Sequence, residues 1–223
     1  MNAMTNQVYL VDDEPAVLKA LSRLLRSAGF QVRVFNSVAE FLAQYRPDAP
    51  ACLVLDLSMP GSGGLELQQW LALRHDPLPV IFLSAHGDVP ATARAMKTGA
   101  VDFLTKPVDA PVLVNTIHEA LRRGHETRAR FAERADFQRR LDTLTPRERE
   151  VLEHVVTGEL NKQIGNVLGA KEKTIKVHCG RVMEKMGVHS LAELVRMTER
   201  AGLESPLQSQ SQRFFTAARK VAY

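Results

Sequence analysis

Cysteine is scarce in this chain. The two present, Cys52 and Cys179, stand 127 positions apart with no CxxC pair and no neighbouring cluster of ligands. That spacing argues against a disulfide framework and a zinc site, and two reduced thiols are expected. No run of eighteen apolar residues occurs, so no membrane span is expected. The opening residues, MNAMTNQVYLVDDE, lack the basic start and apolar core of an export signal, and the expectation is a cytoplasmic protein with no membrane partner. The GSGG at 61–64 lacks both the P-loop lysine and the nucleophile-elbow pattern, so it reads as a plain loop.

What is present is ordinary globular composition, 45% hydrophobic and 24% charged, over 223 residues, enough for two domains. The charge is uneven. Residues 1–124 carry 11 Lys+Arg against 12 Asp+Glu, and residues 125–223 carry 18 against 13. Only the second half is electrostatically suited to a nucleic acid.

In the first half, ACLVLD at 51–56 is apolar at consecutive positions, ends on a carboxylate and breaks at Met59-Pro60-Gly61. Such a run suits a strand covered on both faces. Around it strands and helices alternate: strands at QVYLVD, QVRVF, CLVLD, VIFLSA and DFLTKP, and helices from Pro15, from about Ser37 to Tyr45, from Gly64 to Leu73, from Val89 to Thr98 and from Asp109 onward. Five of each in about 120 residues predict a doubly wound parallel sheet, an α/β fold. Every strand then delivers its last residues to one edge. Collected there are Asp12, Asp13, Asp56, Ser84 and Lys106. Crowded carboxylates repel and raise one another's pKa unless a divalent cation neutralises them. Mg²⁺ suits hard oxygen ligands and keeps waters that a phosphoryl oxygen can replace. With the Lys106 ammonium and the Ser84 hydroxyl alongside, the set forms a clamp for phosphoryl transfer, with Asp56 as nucleophile.

VDDE at 11–14, VLDLSMPG at 54–61, LSAHGD at 83–88 and GAVDFLTKP at 99–107 resemble the receiver domain of two-component response regulators. The resemblance implies a flavodoxin-like fold in which Asp56 accepts a phosphoryl group from a sensor histidine kinase. It also implies that Asp13 and Asp56 ligate Mg²⁺ with the Ser58 backbone carbonyl, Asp12 acting through water. Ser84 and Phe103 match the switch positions, and the bond before Pro107 is expected to be cis.

Arg122 to Leu144 is helix-compatible and heavily charged, and reads as an extension of the last helix plus a solvated linker. Thr145-Pro146-Arg147-Glu148 is a strong helix start, with a cap, a proline at the first position and a glutamate three residues on. Helices over Asn161–Leu168 and Glu172–Met186 follow, separated only by Gly169-Ala170 and a lysine, and Ser190 with Glu193 starts another. Two helices joined by so tight a turn, within a four-helix unit, read as helix-turn-helix. Lys162, Lys171, Lys173, Lys176, Arg181 and Lys185 concentrate charge there for a phosphate backbone.

LTPREREVL, NKQIGNVLG, KTIKVH and VMEKMGVHS resemble the DNA-binding domain of LuxR-type regulators. With the receiver, the chain is similar to NarL/FixJ-type response regulators, nearer the FixJ branch. The resemblance implies that Glu172–Met186 reads double-stranded DNA through Lys176, Val177 and Arg181, while Asn161, Lys162, Lys173 and Thr174 hold phosphates. Three residues depart from the family pattern: Lys171 in place of a serine cap, Gly165 in place of alanine, and Cys179-Gly180 inside the reading helix. Each glycine is expected to weaken its helix.

The expectation is therefore a receiver at 1–123, a helical linker at 124–141, a LuxR-type helix-turn-helix domain at 142–201 and a tail at 202–223. The activity expected is transcriptional regulation by phosphorylation of Asp56, through a homodimer, with RNA polymerase as a further partner and no enzymatic turnover beyond the receiver's own phosphoryl transfer and dephosphorylation. Two rivals are a phosphate enzyme with Asp56 as nucleophile and a DNA-binding regulator whose receiver is vestigial.

Overall fold

The computed structural model describes residues 6–47, 49–59, 63–74, 76–85 and 89–202. The chain divides into two units between Arg128 and Ala129.

The first unit is a five-stranded parallel sheet in the order β2-β1-β3-β4-β5, from β1 (Gln7–Val11), β2 (Gln31–Phe35), β3 (Ala51–Asp56), β4 (Val80–Ser84) and β5 (Asp102–Thr105). Helices α1 (Pro15–Ser27), α2 (Val38–Gln44), α3 (Gly64–Leu73) and α4 (Val89–Lys97) alternate with the strands, and α5 (Ala110–Asp142) follows the last. The strand order explains the burial pattern. Central β3 is buried at all six positions, whereas edge strand β2 buries only Phe35. Side chains alternate between faces, so one sheet fills two cores. Tyr9, Phe35, Phe41, Leu53, Leu55 and Phe82 pack on one side. Val8, Leu10, Val54, Ile81, Leu113 and Ile117 pack on the other.

The second unit contains α6 (Pro146–Val155), α7 (Asn161–Leu168), α8 (Glu172–Met186) and α9 (Leu191–Arg200). Thr145 and Glu148 complete the expected capping box, and Ser190 Oγ accepts from the Glu193 amide. Gly169 and Gly187 end α7 and α8 in the left-handed conformation, at φ 65° and 64°, where a Cβ is costly. The core is Phe137, Leu144, Leu152, Val182, Met186 and Leu194. Phe137 is 4% exposed, so the stretch expected to be a solvated linker contributes a buried aromatic residue to this unit. No helix among the described residues is long and apolar enough to cross a membrane. The tail beyond Gly202 lies outside the described residues.

Candidate functional sites

Parallel pairing brings the strand ends together. Leu83 sits opposite Asp56 and Thr105 opposite Ser84, while Val11 pairs with both Leu55 and Phe35. The residues just past β1 and β5, and the last residues of β3 and β4, therefore share one edge. Asp12 is wholly buried, Asp56 is 3% exposed and Ser84 2%, while Asp13 faces solvent. One oxygen from each of Asp12, Asp13 and Asp56 lies within 4.8 Å of the others. Lys106 Nζ stands 2.6 Å from Asp12 Oδ2 and 3.1 Å from Asp56 Oδ1. The second approach is near enough for charge attraction but off the hydrogen-bond direction, and the buried Asp56 Oδ1 has no hydrogen-bond partner. The Asp12 side chain also accepts from the Glu14 amide at 2.9 Å. The peptide bond between Lys106 and Pro107 is cis.

The Asp56 carboxyl is held above its ordinary range, though not chiefly for the reason expected. Burial is the largest cause. Lys106 pulls the other way, and repulsion from Asp12 and Asp13 comes behind both. For Lys106, burial pulls the ammonium down, but the hydrogen bond to Asp12 and attraction to both Asp12 and Asp56 outweigh it and raise it. Three close carboxylates offering hard oxygens, one of them with a buried oxygen lacking a donor, form a donor set that fits Mg²⁺.

Phe103 is half-buried, its ring 6.4 Å from that of Phe82. Ser58 and Ser84 line a cleft of about 420 Å³ between α3 and α4, and Arg94 lines it too. The residues 60–62 and 86–88 of the motifs lie outside the described residues.

In the second unit, Lys162, Lys173, Thr174, Lys176, Val177 and Arg181 are all exposed and Asn161 is half-buried. Ile175, Val182 and Met186 bury the opposite side of α8. The spacing 173, 177, 181 follows one helical face. Cys179 Sγ donates to Asn161 Oδ1 at 3.3 Å. Lys185 does not belong to this face: its ammonium is 2.6 Å from the buried Glu148 carboxylate, so its charge is already matched within the fold. Lys171 caps α8 without a side-chain hydrogen bond, as its chemistry requires. The two glycines differ. A Cβ at Gly165 would stand 2.6 Å from the Ala170 carbonyl oxygen, so glycine there permits the tight turn, whereas a Cβ at Gly180 would meet nothing within 4 Å. Sequence reasoning passed over the links that Arg140 and Arg147 make to the ends of α8 and α7. Both look like surface charges until the helices are packed.

A buried aspartate with a lysine at the edge of a 2-1-3-4-5 sheet, followed by a helix-turn-helix unit, defines a receiver joined to an effector. Residues 8–118 match the family model for the response regulator receiver domain, and residues 142–198 match that for bacterial regulatory proteins of the luxR family. Nodulation protein W of Bradyrhizobium diazoefficiens is 41% identical over 92% of this chain and 90% of its own. Transcriptional regulatory protein FixJ of Azorhizobium caulinodans is 41% identical over 88% and 93%. Among solved structures, the response regulator StyR aligns with TM-score 0.77 at 42% identity, covering 88% of this chain and 99% of StyR. Full-length FixJ from B. japonicum aligns with TM-score 0.55 at 38%, covering 91% and 100%. The chain belongs to the NarL/FixJ-type response regulators, which are transcriptional regulators rather than enzymes in the usual sense.

Proposed function

We propose that Asp56 is the phosphoryl acceptor through which a sensor histidine kinase controls DNA binding by α7 and α8. The observation that carries this is the convergence of Asp12, Asp13, Asp56 and Lys106 on one edge of the sheet, with the Asp12 and Asp56 carboxylates buried there. An Asp56 oxygen attacks the phosphohistidine phosphorus, the P–N bond breaks, the imidazole leaves with a proton from solvent, and an acyl phosphate remains. Asp13, Asp56 and the Ser58 carbonyl would hold Mg²⁺, with Asp12 acting through water, and the ion would offset charge on the carboxylates and phosphoryl oxygens. Lys106 moves from ion pairing with the free carboxylates to reading the phosphoryl charge. Ser84 supplies a hydroxyl and Phe103 a half-buried ring beside the site, the pair acting as the switch. The receiver catalyses only its own phosphoryl transfer and dephosphorylation, and the protein works in the cytoplasm.

Phosphorylation acts at a distance by biasing a surface with two arrangements. The α4, β5 and α5 face carries the exposed apolar residues Met96 and Val112 beside Lys97, which suits pairing of two receivers. Pairing tethers two reading helices to neighbouring half-sites, so an imperfect inverted repeat is the expected operator. In that complex Lys176, Val177 and Arg181 face the major groove, Asn161, Lys162, Lys173 and Thr174 hold phosphates, and RNA polymerase is the downstream partner. The test uses acetyl phosphate with Mg²⁺. Intact mass should show one phosphoryl group on the wild-type chain and none on Asp56→Asn, and undiminished labelling of the variant sinks the assignment. Sedimentation with beryllofluoride should show dimer for wild type and impaired dimerisation for Lys97→Glu. Arg94, which lines the α3–α4 cleft, is a poorer probe of this face.

A further inference from the structure

Helix α8 is held at its C-terminal end, and the turn that leads into it is held as well, by polar groups from elements earlier in the chain. At the C-terminal end, Lys185 Nζ lies 2.6 Å from Glu148 Oε2 and donates to the Thr143 carbonyl at 3.0 Å, and Arg140 Nη1 donates to the Met186 carbonyl at 2.6 Å. At the approach to its N-terminal end, Arg147 Nη2 donates to the carbonyl of Leu168, the last residue of α7, just before the Gly169-Ala170 turn. Arg147 and Glu148 are consecutive residues in the first turn of α6, yet one secures the turn into α8 and the other its last turn.

Neighbouring groups brace both anchors. The Glu148 side chain is 3% exposed, and its Oε2 also accepts from the Thr145 amide at 2.9 Å, so one carboxylate oxygen closes the capping box and receives Lys185. Lys185 and the capping-box amide hold the Glu148 carboxyl down at about 2, so it stays charged through the physiological range. Arg147 keeps a second nitrogen on Glu150 Oε2 at 2.7 Å, which orients the guanidinium toward Leu168.

Apolar contact through Ile175, Val182 and Met186 seats α8 on the core, but the hydrophobic attraction itself is non-directional. Charge-assisted hydrogen bonds are directional. A side chain reading a base edge needs its Cα placed to a fraction of an ångström, whereas a lysine near a phosphate tolerates much more. We propose that Arg147 and Glu148 are positioning residues for sequence reading: they set the tilt of α8, and so its discrimination among base pairs, without touching DNA. This inference rests on the DNA-binding reading above.

The test takes a duplex selected from a random pool by the full-length wild-type chain, with beryllofluoride and Mg²⁺ present throughout, and compares it with a scrambled duplex of equal length. For Arg147→Ala, preference for the selected duplex should fall about tenfold, the value of one well-formed base contact. Affinity for the scrambled duplex should change by less than about twofold, and the salt dependence of binding should keep its slope, because no phosphate contact is lost. Glu148→Gln retains the capping-box geometry but loses the charge facing Lys185, and should shift preference in the same direction by a smaller factor. It carries the test if Arg147→Ala does not fold. If both affinities fall together and the slope becomes shallower by about one, Arg147 touches phosphate and the proposal is overturned. Unchanged preference in the folded variants also overturns it. A pool from which the wild type selects nothing overturns the DNA reading, and this inference with it.

Discussion

The two units place their candidate site residues in opposite environments. In the first, Asp12, Asp56 and Lys106 have side chains 0%, 4% and 16% exposed and come from three separate strand ends. In the second, Lys173, Lys176, Val177 and Arg181 lie on one helix and face solvent. Charge in a buried site is weakly screened, so each group there acts strongly on its neighbours and alters their pKa. Charge on an exposed face is screened by salt, so each residue adds a small increment to a sum. The first site is therefore expected to behave as a unit, and the second as a surface.

The largest expected effect separates these behaviours directly. Asp13→Ala removes one of three clustered carboxylates, and Mg²⁺-dependent labelling of Asp56 should slow by about 10²–10³-fold, as when one preorganised charge-stabilising group is lost. Lys162→Ala should instead lower DNA affinity modestly for every sequence and reduce the salt slope by about 0.9. If the Asp13 variant labels within a few-fold of wild type in a mass-spectrometric time course, the acceptor site is not acting as a unit.

Next in size is Gly165→Ala. Its new Cβ, 2.6 Å from the Ala170 carbonyl, must push the turn between α7 and α8 apart, at about 1–3 kcal/mol on a urea unfolding curve of the second unit. A neutral or stabilising result would show that the turn relaxes freely and that the close approach is not needed.

Burial of Asp56 predicts a stability change whose sign depends on pH. Its raised folded-state pKa means that, without a divalent ion, ionisation costs more in the folded protein than in the unfolded chain. Replacing it by neutral Asn should raise the melting temperature at pH 7. The gain should shrink as pH falls toward the carboxylate range, because wild-type Asp56 is then protonated as well. Melting curves at both pH values in EDTA check this, and a lower melting temperature for Asp56→Asn at pH 7 would contradict it.

The smallest expected effect is Gly180→Ala. Open space surrounds that position, so the exchange should stabilise α8 by about 0.5–1 kcal/mol through helix propensity alone. Opposite signs at Gly165 and Gly180, measured by the same denaturant titration, would confirm that identical substitutions are decided by their surroundings.

Local chemistry in the sequence determined a good deal by itself. A fully apolar β3 ending at Asp56, alternation of strand and helix, and capping residues at Thr145 and Ser190 were enough to deduce the parallel sheet, the shared edge and the helix-turn-helix. These signals survive in one dimension because backbone hydrogen bonding and side-chain periodicity act over a few residues. Tertiary structure alone decided which charges are spent inside the fold. Lys185 and Lys176 look alike in the sequence, but the packing of α6 against α8 pairs the first with Glu148 and leaves the second in solvent. Gly165 and Gly180 look equally disruptive, until the turn after α7 brings a carbonyl against one and nothing against the other. Desolvation, not repulsion among neighbours, proved the main cause of the raised Asp56 pKa, because burial is a property of the whole surrounding fold that no short stretch of sequence carries.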